Sequence, residues 1–175
     1  GVYSDAGRHA DAVRVADLGY GKFQDKPRLL FLKGVYQEKA GDIDDCITTM
    51  REVIKVDADN SSAFNFLGYI FAERGENLEE AEALVKRALE LKPNDGFYLD
   101  SLGWVYYQKG EYDKALPVLE QAATLEPKEG VILEHIGDVK VKKGDKKAAR
   151  ELYRKALGND VEPRDKERIE KKLAG

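Results

Sequence analysis

Residues 102–115 read LGWVYYQKGEYDKA, a stretch that raises two questions. Gly103 stands beside Trp104, the chain's single tryptophan, in a run where Leu99, Leu102 and Tyr106 recur at helical spacing. Gly110 then breaks that spacing, where a glycine ends a helix in the left-handed conformation at little steric cost. A second series follows at Ala115, Leu119 and Ala122. Glu126 and Pro127 close it, because the residue before a proline avoids the helical region. The stretch predicts helix, turn, helix. It leaves open why a glycine lies inside the first helix, and what Trp104 faces if Tyr106 faces a core.

The first answer lies in repetition. Gly34, Gly68, Gly103 and Gly137 are separated by 34, 35 and 34 residues. Ala81, Ala115 and Ala149 keep a step of 34, as do Ala88, Ala122 and Ala156. Gly41, Gly75, Gly110 and Gly144 mark a turn in each unit, and one extra residue falls near RGENLEEA (74–81), where a loop absorbs it. A period of this length signals stacked units, none of which can bury its apolar face alone. Gly103, Ala115 and Ala122 are then small because two helix axes must approach to about 8–10 Å. Tyr106 and Leu119 fill the space beside them. Four complete units are placed at 27–60, 61–95, 96–129 and 130–163, after a partial unit over 1–26 and before a polar capping helix over 164–175. The expectation is a single all-α solenoid of about nine to eleven helices and no strands. The 27–60 unit is the least regular: Lys33 takes the slot of Leu67, Leu102 and Ile136, and Gln37 that of Phe71 and Tyr106.

The charge balance narrows the function classes. The 175 residues carry 29 basic and 33 acidic side chains, a net charge of -4, which argues against a dedicated nucleic-acid binder. From Asp138 onward there are 13 Lys+Arg against 8 Asp+Glu, read here as a solvated helix surface. Cys46 is alone and takes the small-residue slot of Ala81 and Ala115, so it is expected buried and inert. One thiol with His9 and His135 makes no structural zinc site. The carboxylates of DIDD (42–45) and NLEE (77–80) fall at helix starts, where they suit the helix dipole. The glycines are accounted for by helix contacts and turns, which leaves no phosphate-binding loop. No enzyme activity, cofactor or metal is expected. No apolar run is long enough to span a membrane, and no direct membrane contact is expected. The chain begins at Gly1 without Met, leader or lipid-attachment sequence, and is read as a fragment of a longer protein whose location it does not reveal.

The patterns L-G-x-x-Y, G-x-Y/L-x-x-A and A-x-x-L-x-P, as they stand in LGWVYYQKGEYDKALPVLEQAATLEP, resemble the tetratricopeptide repeat (TPR) across nearly the whole chain. The resemblance implies a right-handed superhelix with the first helix of each unit lining a concave face. In that family the exposed inner positions are the second, fifth, ninth and twelfth of each unit. Carried over residue by residue, they include Phe31 from 27–60, and Asn65 and Tyr69 from 61–95. The 96–129 unit supplies Phe97, Asp100, Trp104 and Tyr107, and the 130–163 unit supplies Glu134 and Asp138. The aromatics would form a strip, and the three acids would add negative charge toward its C-terminal side.

A scaffold or adaptor follows from the resemblance, binding a partner polypeptide with apolar side chains and some basic character. A lysine and asparagine carboxylate clamp does not follow, because Trp104 and Asp138 stand where an asparagine is expected, and Asp100 and Glu134 replace cations. More narrowly, LGY, AERG, LEEAE, NDG and DSLGWV in residues 67–105 resemble the C-terminal repeat region of bacterial cell-envelope TPR lipoproteins. That implies a lipid-anchored parent on the periplasmic side. The alternative is self-association into a homo-oligomer through an uncovered repeat end or the groove.

Overall fold

The structure is a computed structural model that describes residues 26–159 and 161–174. Nine helices stand among these residues: α1 Lys26–Ala40, α2 Ile43–Val56, α3 Ser61–Arg74, α4 Leu78–Leu91, α5 Gly96–Gln108, α6 Tyr112–Leu125, α7 Gly130–Lys142, α8 Lys146–Leu157 and α9 Pro163–Ala174. No β-strand is among the described elements. The partial unit expected over 1–26 lies, but for Lys26, outside the described residues.

Local chemistry sets the helix ends. The Asp95 carboxylate accepts the N–H groups of Phe97 and Tyr98 at 3.1 and 3.2 Å, satisfying donors that the first turn of α5 leaves without carbonyl partners. Asn60 caps α3 through Ala63, and Asp145 caps α8 through Ala148, both at 3.0 Å. At the other end of α3, Gly75 adopts φ +64°, a region that side chains disfavour. The N–H of Gly75 then bonds Ala72, and that of Glu76 bonds Phe71. The extra residue of the 61–95 unit is visible here. A single residue separates Gly110 from α6, whereas Glu76 and Asn77 separate Gly75 from α4, and Asn77 itself adopts φ +49°.

The helices pack as pairs, α1 on α2, α3 on α4, α5 on α6 and α7 on α8. Each second helix also meets the first helix of the next pair, and α9 covers α8. The first helices α3, α5 and α7 touch in succession, forming a continuous inner layer. The core is a single chain of contacts through fully buried residues such as Met50, Leu67, Val85, Val105, Leu119 and Val139.

The inner glycines are required by close approach. A Cβ on Gly103 would lie 2.5 Å from both Cγ and Cδ2 of Leu119, and one on Gly137 would lie 2.4 Å from the Tyr153 ring. Gly34 differs, because its nearest neighbour is the terminal methyl of Met50, a flexible end that can turn away. Cys46 is buried, and its thiol is pushed up to about 12, chiefly by burial and then by Glu38.

Two polar residues depart from a simple repeat. Gln37, in an aromatic slot, is buried with its amide oxygen unpaired, a cost borne by the least regular unit. Lys109, at the turn after α5, is mostly buried and pairs with Glu82 of α4 at 2.6 Å, so it ties two units together.

Two pairs of substitutions test the packing. Gly103→Ala is expected to cost about 1–3 kcal/mol through overpacking. Gly34→Ala should be neutral or better, since alanine gains up to about 1 kcal/mol of helix propensity over glycine. Ala122→Leu, at a fully buried site, should likewise cost about 1–3 kcal/mol. At the adjacent exposed site, Gln121→Leu should stay within about 0.5 kcal/mol. Urea unfolding of the four variants reads the order directly, and equal midpoints for Ala122→Leu and Gln121→Leu would contradict this register.

Candidate functional site

The inner layer of α1, α3, α5 and α7 brings the candidate residues into two groups. The aromatic group centres on Trp104. Its ring stacks on Tyr107 at 4.6 Å, with 6° between planes, and on His135 of α7 at 4.2 Å and 17°. Tyr107 in turn meets Tyr112 of α6 at 5.6 Å. A residue three positions on in a helix lies on the same face, which is why Trp104 and Tyr107 can stack. Phe31 meets Phe66 edge-on at 5.9 Å, one unit apart. Phe97 is 50% exposed, whereas Trp104, Tyr107 and Tyr69 are half-buried.

The second group is charged and buried. Glu134 is fully buried and accepts two bonds from Arg168 of α9, from Nε at 2.7 Å and Nη2 at 2.6 Å. Lys172, one helical turn further along α9, reaches Glu134 at 2.7 Å and Asp138 at 2.5 Å. The Tyr153 hydroxyl donates to the other oxygen of Asp138 at 2.6 Å. Asp100 lies 2.8 Å from Nδ1 of His135.

The titrations follow from these contacts. Burial pushes the Glu134 carboxyl up, but the hydrogen bonds from Arg168 and Lys172 outweigh it and hold the group below the usual carboxylate range. For His135, burial disfavours the imidazolium. Asp100, then Glu134 and Asp138, more than offset that, so its pKa is raised. Burial, and then Glu73 and Asp100, push the Tyr69 phenol up, while Arg168 acts on it in the opposite sense.

Besides Gln37, two buried polar atoms of the inner layer have no hydrogen-bond partner among the described residues, the indole nitrogen of Trp104 and the amide oxygen of Asn65. Among the described residues, no group of three or more His, Cys, Asp or Glu is placed to hold a metal ion.

Tetratricopeptide repeat profiles match residues 31–96, 96–129 and 132–160. The chain belongs to the tetratricopeptide repeat family. It is 34% identical over 103 residues to the TPR repeat-containing protein PA4667 of Pseudomonas aeruginosa, a match that takes in 59% of this chain and 18% of that protein. In fold it is similar to TTC0263, a thermophilic TPR protein of Thermus thermophilus, with TM-score 0.82 and 22% identity over 98% of this chain and 94% of that one. It is also similar to MamA from residue 41 onward of Desulfovibrio magneticus RS-1, with TM-score 0.74 and 21% identity over 89% and 88%. The helices form a TPR solenoid. As a member of this family, the chain is a protein–protein interaction scaffold.

The TPR register accounts for the buried charges. Counting from residue 164 as the next unit start, Arg168 and Lys172 take the fifth and ninth positions of α9, the positions that Glu134 and Asp138 take in α7. Glu134 meets Arg168 fifth to fifth, and Asp138 meets Lys172 ninth to ninth. The three acids expected to offer negative charge to a basic partner are therefore engaged within the chain: Asp100 by His135, Glu134 by Arg168 and Lys172, and Asp138 by Lys172 and Tyr153. Arg168, Lys172 and Tyr153 were not among the sequence-derived site residues. A further step of 34 from Glu134 and Asp138 lands on both cations and was the signal available for them.

His135 sets a pH dependence. Its folded pKa lies above the ordinary value of about 6.5, so its stabilisation is fully present below that value and is lost as pH rises through the folded pKa. The unfolding free energy is expected to fall across that interval, and His135→Gln should remove that part of the slope. Urea titrations from pH 6 upward measure it; an identical slope in the variant would show that His135 gains no proton affinity on folding.

Proposed function

We propose that this scaffold binds an extended segment of a partner polypeptide along its inner face, centred on Trp104 and reaching Tyr69, Asn65 and Phe31. The observation that carries the reading is the pair of buried, unpaired atoms on that face. The Trp104 indole N–H is a donor without an acceptor, and the Asn65 amide oxygen is an acceptor without a donor. Buried polar groups are nearly always satisfied, and an extended backbone that draws these two side chains toward it supplies both a carbonyl and an N–H. Phe97, half-exposed on α5 two turns before the stacked Trp104, supplies apolar area of the kind that anchors interfaces. The same reading places the chain in a bacterial envelope lipoprotein that acts as an adaptor. What supports this is the sequence resemblance over residues 67–105 and a relative from Pseudomonas aeruginosa.

The test is capture of a partner from the source organism, identification of the bound segment, and its titration against variants. Trp104→Phe keeps the stacked ring and removes the N–H; it should weaken binding about fivefold, the worth of one hydrogen bond of about 1 kcal/mol. Trp104→Ala should weaken it tenfold or more, as for a buried aromatic anchor costing about 2 kcal/mol. Asn65→Ala should act as Trp104→Phe does. Circular dichroism checks that helix content is unchanged. Unaltered affinity in all three variants would move the partner surface elsewhere.

A further inference from the structure

A cavity of about 360 Å³ opens between α7, α8 and α9, beside Tyr107 of α5. Its apolar surface comes from Tyr107, Val141, Ala149 and Tyr153. Four cations surround it: Lys142, Lys146, Arg150 and Lys172. The one carboxylate in its wall, Asp138, is already engaged by Tyr153 and Lys172. Arg150 is tied in part, donating to the Leu173 carbonyl at the end of α9 at 3.0 Å. Lys142 and Lys146 are exposed and make no ion pair among the described residues. The site thus shows an apolar floor to one side and unspent positive charge at its mouth, within a chain of net charge -4.

We propose that this cavity receives an apolar or aromatic side chain of an acidic peptide segment, whose flanking carboxylates meet Lys142 and Lys146. The assignment rests on the reading of the chain as a polypeptide-binding scaffold and names the partner's chemistry at one end of the inner face. Charge complementarity selects the occupant. The acids that favoured a basic partner are engaged internally, so the accessible charge around the cavity is positive. The volume falls at the lower end of the usual range for ligand pockets, about 300–1,000 Å³. A nucleic acid fits less well, because the acidic remainder of the chain repels a long polyanion and the floor offers no partner to phosphate. The basic C-terminal region, read from sequence as a solvated surface, thus acquires a second role beside the engagement of Glu134 and Asp138, where four of its side chains converge on one opening.

The probe is a fluorescein-labelled hexapeptide with a central phenylalanine between glutamates, titrated with the whole chain by fluorescence anisotropy. Its counterparts carry lysine in place of every glutamate, or alanine in place of phenylalanine. The acidic peptide should bind saturably below about 1 mM. The alanine peptide should bind at least tenfold more weakly, and the lysine peptide should not saturate. The double variant Lys142→Glu, Lys146→Glu changes exposed positions and should retain the fold while weakening the acidic peptide tenfold or more. Val141→Asp, at a partly exposed floor position, should do the same. Lack of saturation by the acidic peptide, equal binding of the lysine peptide, or full affinity in the double variant would overturn the assignment. A captured partner whose binding depends on Asn65 and Trp104 but not on Lys142 and Lys146 would overturn this site while leaving the scaffold reading in place. A partner indifferent to all four would overturn both.

Discussion

Repetition imposes one constraint on the inner face: each residue lies beside its counterpart one unit further on. Two acids in succession at the fifth position, Asp100 and Glu134, would repel each other and be buried together. The chain meets this by inserting a histidine or a cation at each step. His135, at the sixth position of its unit, takes Asp100; Arg168 and Lys172 take Glu134 and Asp138. A buried carboxylate left alone would face a desolvation penalty of several kcal/mol. Helix α9 is therefore more than a polar cover on the last apolar face. Its Ile169 is fully buried and closes the core, while the side chains on its inner side complete a charge network that begins in α5.

The fold was legible because close helix packing leaves a mark at single positions of the sequence. A position where a Cβ would strike Leu119 or the Tyr153 ring must be glycine, and the spacing of such positions shows the unit length. The turn glycines were legible for a different reason: they adopt positive φ, which side chains disfavour, although a Cβ there would meet nothing within 4 Å. The aromatics at Phe31, Tyr69, Phe97, Trp104 and Tyr107 also stand on first helices, as the register implied. The partners of the acids were harder to see. Position within one helix says which way a carboxylate points, but its exposure depends on what the next helix brings. The terminal helix, read as a polar segment, was not carried into the register, so Arg168 and Lys172 went uncounted. Lys109 escaped for a related reason, because its partner Glu82 lies on a second helix, outside the aligned positions of the first.

These contacts change what the surface offers. With Asp100, Glu134 and Asp138 engaged, the inner face presents aromatic rings, and its C-terminal end presents lysines. Such a surface favours partners with apolar anchors and acidic flanks, and electrostatic complementarity of this kind shapes specificity and association rate more than affinity. The stack of Tyr107, Trp104 and His135 joins the two groups, because the histidine that lies on the indole is the one held by Asp100. Packing and charge thus converge on one side chain, so a change at His135 reaches both the aromatic strip and the acid ladder.

The central claim is that α9 holds the inner face together through charge as well as through apolar cover. A double-mutant cycle of Glu134→Gln and Arg168→Gln, read by urea unfolding, measures that contribution without the cavity that truncation to alanine would leave. Coupling of about 1–3 kcal/mol is the predicted result, as for groups sharing one buried network. Coupling within about 0.3 kcal/mol of zero, the range of independent sites, would mean that α9 is held by its apolar contacts alone and would contradict this account.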